Sequence, residues 1–278
     1  MSNYIKHAFK GPAMRLYPIS CLHVGAPQCD MKFITQHLKR IKDDPIGYWV
    51  YMGDGGECVT KESKGSIYDQ ILSPNLQMEC LVDLLAPLAK RGLLGVRGNH
   101  GHRIYKETGL SFDHTLCQRL NIPYMGAAAM ANFKVGRSSY DIYFHHGVDS
   151  GIAMRAKISK AEHFNLFVDA DAIFTAHSHV SIALQPAALL YADNDGCKTG
   201  TRLRYGYICG SGYDSRTGYA EDRGYPPLLP SMICVEFDGR IVQGLAQKGQ
   251  QFTRWASDGQ HTLDQSYILD YLQNARKE

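Results

Sequence analysis

Residues 93–102 read LLGVRGNHGH, and this short stretch decides the fold. Leu93 to Arg97 follows the turn at Gly92 and reads as a short strand, which breaks at once into Gly98-Asn99-His100-Gly101-His102. A strand that ends in a loop delivers its last side chains to the crevice at the sheet edge. Working outward, the same arrangement recurs four times. Leu16 to Cys21 leads into Cys21-Leu22-His23, and Gly47 to Met52 (GYWVYM) leads into Gly53-Asp54-Gly55-Gly56. Asp141 to Phe144 leads into His145-His146-Gly147, and Ala172 to Thr175 leads toward His177-Ser178-His179. Seven of the 12 histidines lie in these five segments, whereas His7, His37, His114, His163 and His261 are scattered and read as surface or core residues.

Between the strands the periodicity turns helical. In Asp30 to Lys42, Ile34, His37, Leu38 and Ile41 share one face and Asp30 suits an N-cap. Asn75 to Lys90 is a second amphipathic helix, and Ala161 to Val168 is predicted as a third. From Ile182 onward short strand-like pieces (RYGYICG, SMICVEF) replace this pattern. A Gly/Tyr/Pro-rich loop follows Gly210, and a surface helix is predicted for Asp264 to Lys277. Strands alternating with helices predict an α/β core with sheet buried between helices. A length of 278 residues suits one domain, 1–278, with 184–230 a candidate cap or loop insertion.

Composition narrows the function classes. With 44% hydrophobic and 21% charged residues the chain is ordinary for a globular protein, and a formal charge of +3 produces no field that announces nucleic acid. No apolar run is long enough to cross a bilayer, and the N-terminus lacks the apolar stretch of a secretory signal, so a cytoplasmic protein without membrane partners is expected. The eight cysteines are scattered, which fits reduced thiols in a cytosol rather than a disulfide framework.

The ligand-type residues point to metal chemistry. Several strand-end loops together can bring imidazoles and carboxylates into one small volume. In extended chain, Cys21 and His23, or His177 and His179, would share a face. Successive residues oppose one another, so one of His145 and His146 coordinates; the position next to the strand favours His145, and the choice stays open at this point. Each segment alone is commonly a turn or a surface pair, and it is the joint order that carries the signal.

That order, CLH, GD, GNH, HHG and AHSH over Leu16 to Val180, resembles the calcineurin-like metallophosphoesterase superfamily, whose pattern is D-x-H, G-D, G-N-H, H and G-H-x-H. The latter part of the chain resembles bacteriophage-type members, which implies a host cytoplasm. The resemblance implies a four-layer sandwich of two mixed β-sheets flanked by helices, with two divalent transition-metal ions at the strand ends. It places Cys21, His23 and His179 at one ion, Asp54 between the two, and Asn99, His146 (or His145) and His177 at the other. It makes His100 the imidazole that contacts phosphate or protonates the leaving oxygen, with Asn99, His102 and Arg103 extending the substrate pocket. Ala176 replaces the usual Gly, a mild change. Cys21 stands where the family has Asp. A thiolate is the softer ligand and favours zinc or iron over magnesium or calcium; the plainer alternative is a small buried side chain beside a weak site. The cofactors that the resemblance implies are two transition-metal ions drawn from manganese, iron and zinc, with manganese for activity.

The implied activity is a binuclear metal-dependent phosphoesterase. Two ions roughly 3.5–4 Å apart share a hydroxide that attacks phosphorus in line. A phosphodiester, including nucleic acid or a nucleotide, is the favoured substrate. Arg97, Arg103, Arg155, Lys157, Arg202, Arg204 and Arg216, interleaved with Tyr205, Tyr207, Tyr213, Tyr219 and Tyr225, could track a backbone and stack bases. They could equally be solvated charges and core tyrosines. A phosphomonoesterase shares the same metal core, and a non-catalytic scaffold would have lost one ion through Cys21.

Overall fold

Alternate residues of a strand face opposite ways, and here the two faces of each central strand belong to different cores. The computed structural model describes residues 4–63, 65–148, 151–184, 187–192, 199–240 and 250–257. In chain order its elements begin with β1 (Tyr4–Phe9), β2 (Ala13–Ile19), α1 (Met31–Asp43), β3 (Gly47–Tyr51), α2 (Pro74–Leu85) and β4 (Gly92–Gly95). Then come α3 (Asn99–Thr108), α4 (Phe112–Arg119), β5 (Ala128–Val135), β6 (Ser138–His145), α5 (Met154–His163) and β7 (Ala172–Thr175). The chain continues through β8 (Ser181–Ala183), β9 (Ala187–Ala192), β10 (Thr199–Ser211), α6 (Tyr219–Asp222), β11 (Ser231–Asp238) and β12 (Gln250–Ala256).

The strand order is β1-β5-β6-β7-β10-β11-β2-β3-β4, with β8 and β9 on β10 and β12 on β11. Strand β10 belongs to both halves: Tyr205 to Ile208 pair with β7, whereas Gly210 and Ser211 pair with β11. The crossing falls at Gly210, whose φ is +86° and where a Cβ would stand 2.0 Å from the Ser231 carbonyl oxygen, so only glycine fits. The two halves form facing mixed sheets. Leu16, Val50, Met52 and Val235 of one half share a core with Phe133, Ile142, Phe144 and Phe174 of the other. The opposite faces carry Tyr17, Ile19, Trp49 and Tyr51 against α1, α2 and α4 on one side. On the other side Tyr143 and Ile173 pack with Phe164 and Val168 after α5. Helices, sheet, sheet and helix make the α/β four-layer sandwich that the resemblance implies. Full burial of such aliphatic and aromatic side chains contributes roughly 1.5–3 kcal/mol apiece.

Local signals account for the helix ends. Asp30 caps α1 by accepting from the Phe33 amide at 2.9 Å. Helix α2 stops at Leu85, short of the expected Lys90, and continues as a 3-10 turn over Ala86–Arg91. Pro87 explains the change, because it has no N–H to donate and its ring crowds the carbonyl four residues back. The helix expected at Ala161 to Val168 lies earlier, as α5, and passes into a 3-10 turn at Phe164–Leu166. Within 184–230, β9 and β10 are followed by the Gly/Tyr/Pro-rich loop that holds α6. The helix predicted at Asp264 to Lys277 lies outside the described residues. Among the described residues no helix is long and apolar enough to cross a membrane.

Candidate metal centre

The five motif segments leave the C-terminal ends of β2, β3, β4, β6 and β7, and backbone hydrogen bonds stitch them together. The Cys21 amide donates to the Gly53 carbonyl (3.0 Å), Val24 to Gly55 (2.8 Å) and Ala176 to His146 (2.8 Å). The Asp54 and Asn99 loops meet where Gly98 lies against Asp54. A Cβ on Gly98 would fall 2.1 Å from Asp54 Oδ1, so the glycine is needed for the approach. Asp54 Oδ1 accepts from the His100 amide at 2.8 Å, at the start of α3.

The motif backbone is not extended, contrary to the expectation for Cys21-Leu22-His23 and His177-Ser178-His179. Cys21, His23, Asp54, His177 and His179 have φ values of 49°, 52°, 56°, 67° and 58°. Left-handed backbone costs an L-residue roughly 1–2 kcal/mol. Strain of this kind, concentrated in one small volume, marks sites where side-chain placement matters more than local comfort.

Three groups of ligand atoms result, each with members within 4.8 Å of one another: Cys21, His23 and His179; Cys21, Asp54 and His146; and His23, Asp54 and His100. Cys21, His23 and Asp54 each belong to two groups, and Cys21, His23, Asp54 and His146 are all buried. His146 donates its Nδ1–H to the Met52 carbonyl at 2.6 Å, which turns the lone pair of Nε2 inward. That nitrogen lies 2.9 Å from Asp54 Oδ2 and 3.0 Å from Asn99 Oδ1. Asp54 Oδ2 is buried and receives no hydrogen bond, the 2.9 Å approach notwithstanding. His23 donates Nδ1–H to Glu57 Oε2 at 2.7 Å and aims Nε2 at His179 Nε2, 3.0 Å away. With its Nδ1–H on Met52, a neutral His146 turns Nε2 toward the acceptors Asp54 Oδ2 and Asn99 Oδ1, an arrangement that fits a cation. The mixed N, O and S donor set suits a divalent transition-metal ion.

Electrostatics agree. Burial raises the Asp54 pKa, but His146, His100 and His23 outweigh it and hold the carboxyl well below its ordinary value. Burial works against a charged His146, and Asp54 overcomes it, so this imidazole is raised. Burial, opposed by Asp54 and reinforced by His23, lowers His100 to about 4. Burial and then Asp54 push the Cys21 thiol well up, with the His177 amide acting the other way. A bound cation would reverse the pressure on Cys21 and favour its thiolate.

The remaining motif residues separate clearly. His177 lines the cleft beside the centre, its ring centroid 5.4 Å from that of His146, and joins none of the three groups. His145 turns the other way, stacking on Tyr143 and packing on Phe164, and accepts from the Gly147 amide. His102 stacks on Tyr105 outside the cleft, so its expected place in a substrate pocket does not follow from its position. Arg103 lines the cleft with Nη2 3.1 Å from His100 Nε2.

Three residues of the site carry no sequence signal. Glu57 orients His23 and also accepts the His100 Nδ1–H at its backbone carbonyl, 2.7 Å. Tyr51 donates to Asp113 at 2.7 Å while its hydroxyl accepts from the Gly55 amide at 2.8 Å. Asp113 in turn accepts from the Gly98 amide at 3.2 Å, tying the Asp54 loop to the Asn99 loop. Only the tertiary fold brings these partners together.

A cleft of about 1750 Å³ opens over the centre. Of the basic residues considered in the sequence, it is lined by Arg103 and Lys157; Arg204 pairs with Asp169, Arg216 pairs with Asp214, and the Arg202 side chain lies outside the described residues. Tyr205 and Tyr207 pack with the sheet core, whereas Tyr213, Tyr219 and Tyr225 line the cleft. The lining cations are Arg103, Lys106, Lys157 and Arg223, against Glu57, Glu62, Asp69, Glu107 and Asp222. A continuous basic track for a polyanion is therefore absent from the described lining.

No family model matches the chain, and no curated protein matches it. Among solved structures it is similar to a double mutant of Vps29 from Entamoeba histolytica, at 14% identity over 88% of this chain and 100% of that one, TM-score 0.42. It is similar to a metallophosphoesterase from Sphaerobacter thermophilus, at 16% identity over 81% and 83%, TM-score 0.37. A serine/threonine phosphatase from Saccharomyces cerevisiae is similar at 11% identity over 94% and 85%, TM-score 0.38. Likeness at this level assigns neither activity nor substrate.

Proposed function

We propose that the chain is a metal-dependent phosphoesterase holding two divalent cations. The observation that carries this reading is the inward-facing set of acceptors around Asp54, whose buried Oδ2 takes no hydrogen bond. Cys21, His23 and His179 would hold one ion and Asn99, His146 and His177 the other, with Asp54 shared. Divalent cations would supply Lewis-acid polarisation and charge neutralisation at a phosphoryl group, manganese being the first ion to test.

The chain's own residues do the rest. Glu57 fixes the tautomers of His23 and His100, so that both present Nε2. Arg103 supplies a fixed charge for a phosphate oxygen. An anionic substrate favours the protonated form of His100, which would pass its proton to the leaving oxygen. Among the described residues the lining side chains form no continuous basic track, which favours a small phosphodiester over a long polyanion.

The test compares bis-p-nitrophenyl phosphate with p-nitrophenyl phosphate, with Mn²⁺ and with chelator. Chelator-sensitive cleavage favouring the diester is expected, lost in Asp54→Ala and slowed at least 100-fold in His100→Ala with metal still bound. Preference for the monoester would make the protein a phosphatase. No cleavage and no bound metal would make it a scaffold.

A further inference from the structure

We infer that the loop 213–228 is a subsite for the base of a nucleoside esterified to the phosphodiester; this rests on the phosphodiesterase reading. Three tyrosines of this loop line one cleft. Tyr213 reaches the cation-holding groups, with ring centroids 5.2 Å from His23 and 5.5 Å from His179. Tyr219 and Tyr225 stand farther out, 38% and 40% exposed, with centroids 6.3 Å apart and rings nearly perpendicular at 87°. The Arg223 guanidinium lies 5.4 Å over the Tyr219 ring. Large rings left half-open to a concave surface are the usual material of a stacking platform.

The loop is pinned rather than loose. At its neck the Ser215 amide donates to the Leu228 carbonyl (3.0 Å), and the Leu228 amide donates to Ser215 Oγ (2.8 Å). The Asp214 amide donates to the Gln28 carbonyl, and the Tyr225 amide closes a turn on Ala220. Gly218 has φ +69° and sits so close to Gln28 that a Cβ would fall 2.2 Å from Nε2. The main chain that carries the rings is thus held in place before a ligand arrives, which limits the entropy lost on binding. With cations and anions nearly matched along the walls, stacking is the selectivity the lining offers, and it acts on a flat uncharged group.

The test uses two diesters that release the same p-nitrophenolate: thymidine 5′-(p-nitrophenyl phosphate) and methyl p-nitrophenyl phosphate, both with Mn²⁺. The wild-type protein is expected to favour the thymidine ester about tenfold or more in kcat/KM, in line with the strength of base–aromatic stacking. Tyr219→Ala with Tyr225→Ala should bring that ratio toward one, chiefly through KM, while Tyr219→Phe with Tyr225→Phe keeps it. Equal kcat/KM for the two esters in the wild type, or a ratio that survives the alanines, would overturn the subsite. Calorimetric titration with thymidine 5′-monophosphate reads the same subsite without turnover. If neither ester is cleaved the phosphoesterase reading fails by itself, and heat of binding that the alanines abolish would still uphold the subsite, its absence overturning it.

Discussion

His146 Nε2 and Asp54 Oδ2 stand 2.9 Å apart, both buried. The Nδ1–H of His146 is already committed to the Met52 carbonyl, so only a second proton or a cation can bridge the gap. The two compete, and the directions of the pKa values give the sign. His146 binds a cation only when neutral, and Asp54 lifts its pKa above the ordinary value against the effect of burial. Below that raised pKa His146 should therefore release a proton on binding and cost the affinity a further factor of roughly ten per pH unit, a step that Cys21→Ser retains because the Cys21 thiol gives up its own proton at any pH below its raised pKa. Calorimetry with Mn²⁺ in buffers of different ionisation enthalpy measures both. An affinity indifferent to acid would show that His146 is not a ligand.

Cys21 is fully buried and belongs to two of the three ligand groups. Its thiol is raised by burial first and by Asp54 second, so it is neutral until a cation displaces its proton. Cys21→Asp should move preference from zinc toward manganese and magnesium, because a carboxylate oxygen is the harder donor. Competitive titration with Zn²⁺ and Mn²⁺ reads the ratio. The same ratio in both proteins would mean that the sulfur only fills space.

Tyr51 joins two ligand loops through one hydroxyl, at 2.7 Å from Asp113 and 2.8 Å from the Gly55 amide. Tyr51→Phe keeps the ring in the core and strands those buried partners, at a cost of about 1–3 kcal/mol. Residues that hold ligands in place typically shift metal affinity 10–100-fold when altered, so Mn²⁺ affinity should fall within about that range. Thermal unfolding in chelator separates the effects. A lowered Tm with unchanged Mn²⁺ affinity would leave the network a purely structural role.

Much of this was legible because each motif follows a short buried strand and carries side chains with few structural uses there. The choice between His145 and His146 was latent in the strand itself. Tyr140, Ile142 and Phe144 face the inner core, so the even-numbered His146 continues toward that side and His145 follows Tyr143 outward. The left-handed backbone at Cys21, His23, Asp54, His177 and His179 was hidden, since non-glycine residues adopt it only when surrounding packing compels them. Glu57 and Asp113 were hidden for a different reason: each acts on residues far away in sequence, 34 positions in the case of Glu57 and His23. Strands β1 and β5 were missed as well; β5 alternates alanines with larger residues, a weak version of the period-2 signal.

In the proposed centre two cations share Asp54. Crystals grown with Mn²⁺ and measured at the manganese absorption edge test it most directly. Two anomalous peaks are expected on either side of the Asp54 carboxylate, one among Cys21, His23 and His179 and one among Asn99, His146 and His177. A map with one peak or none at Asp54, under conditions in which the diester is cleaved, would contradict it.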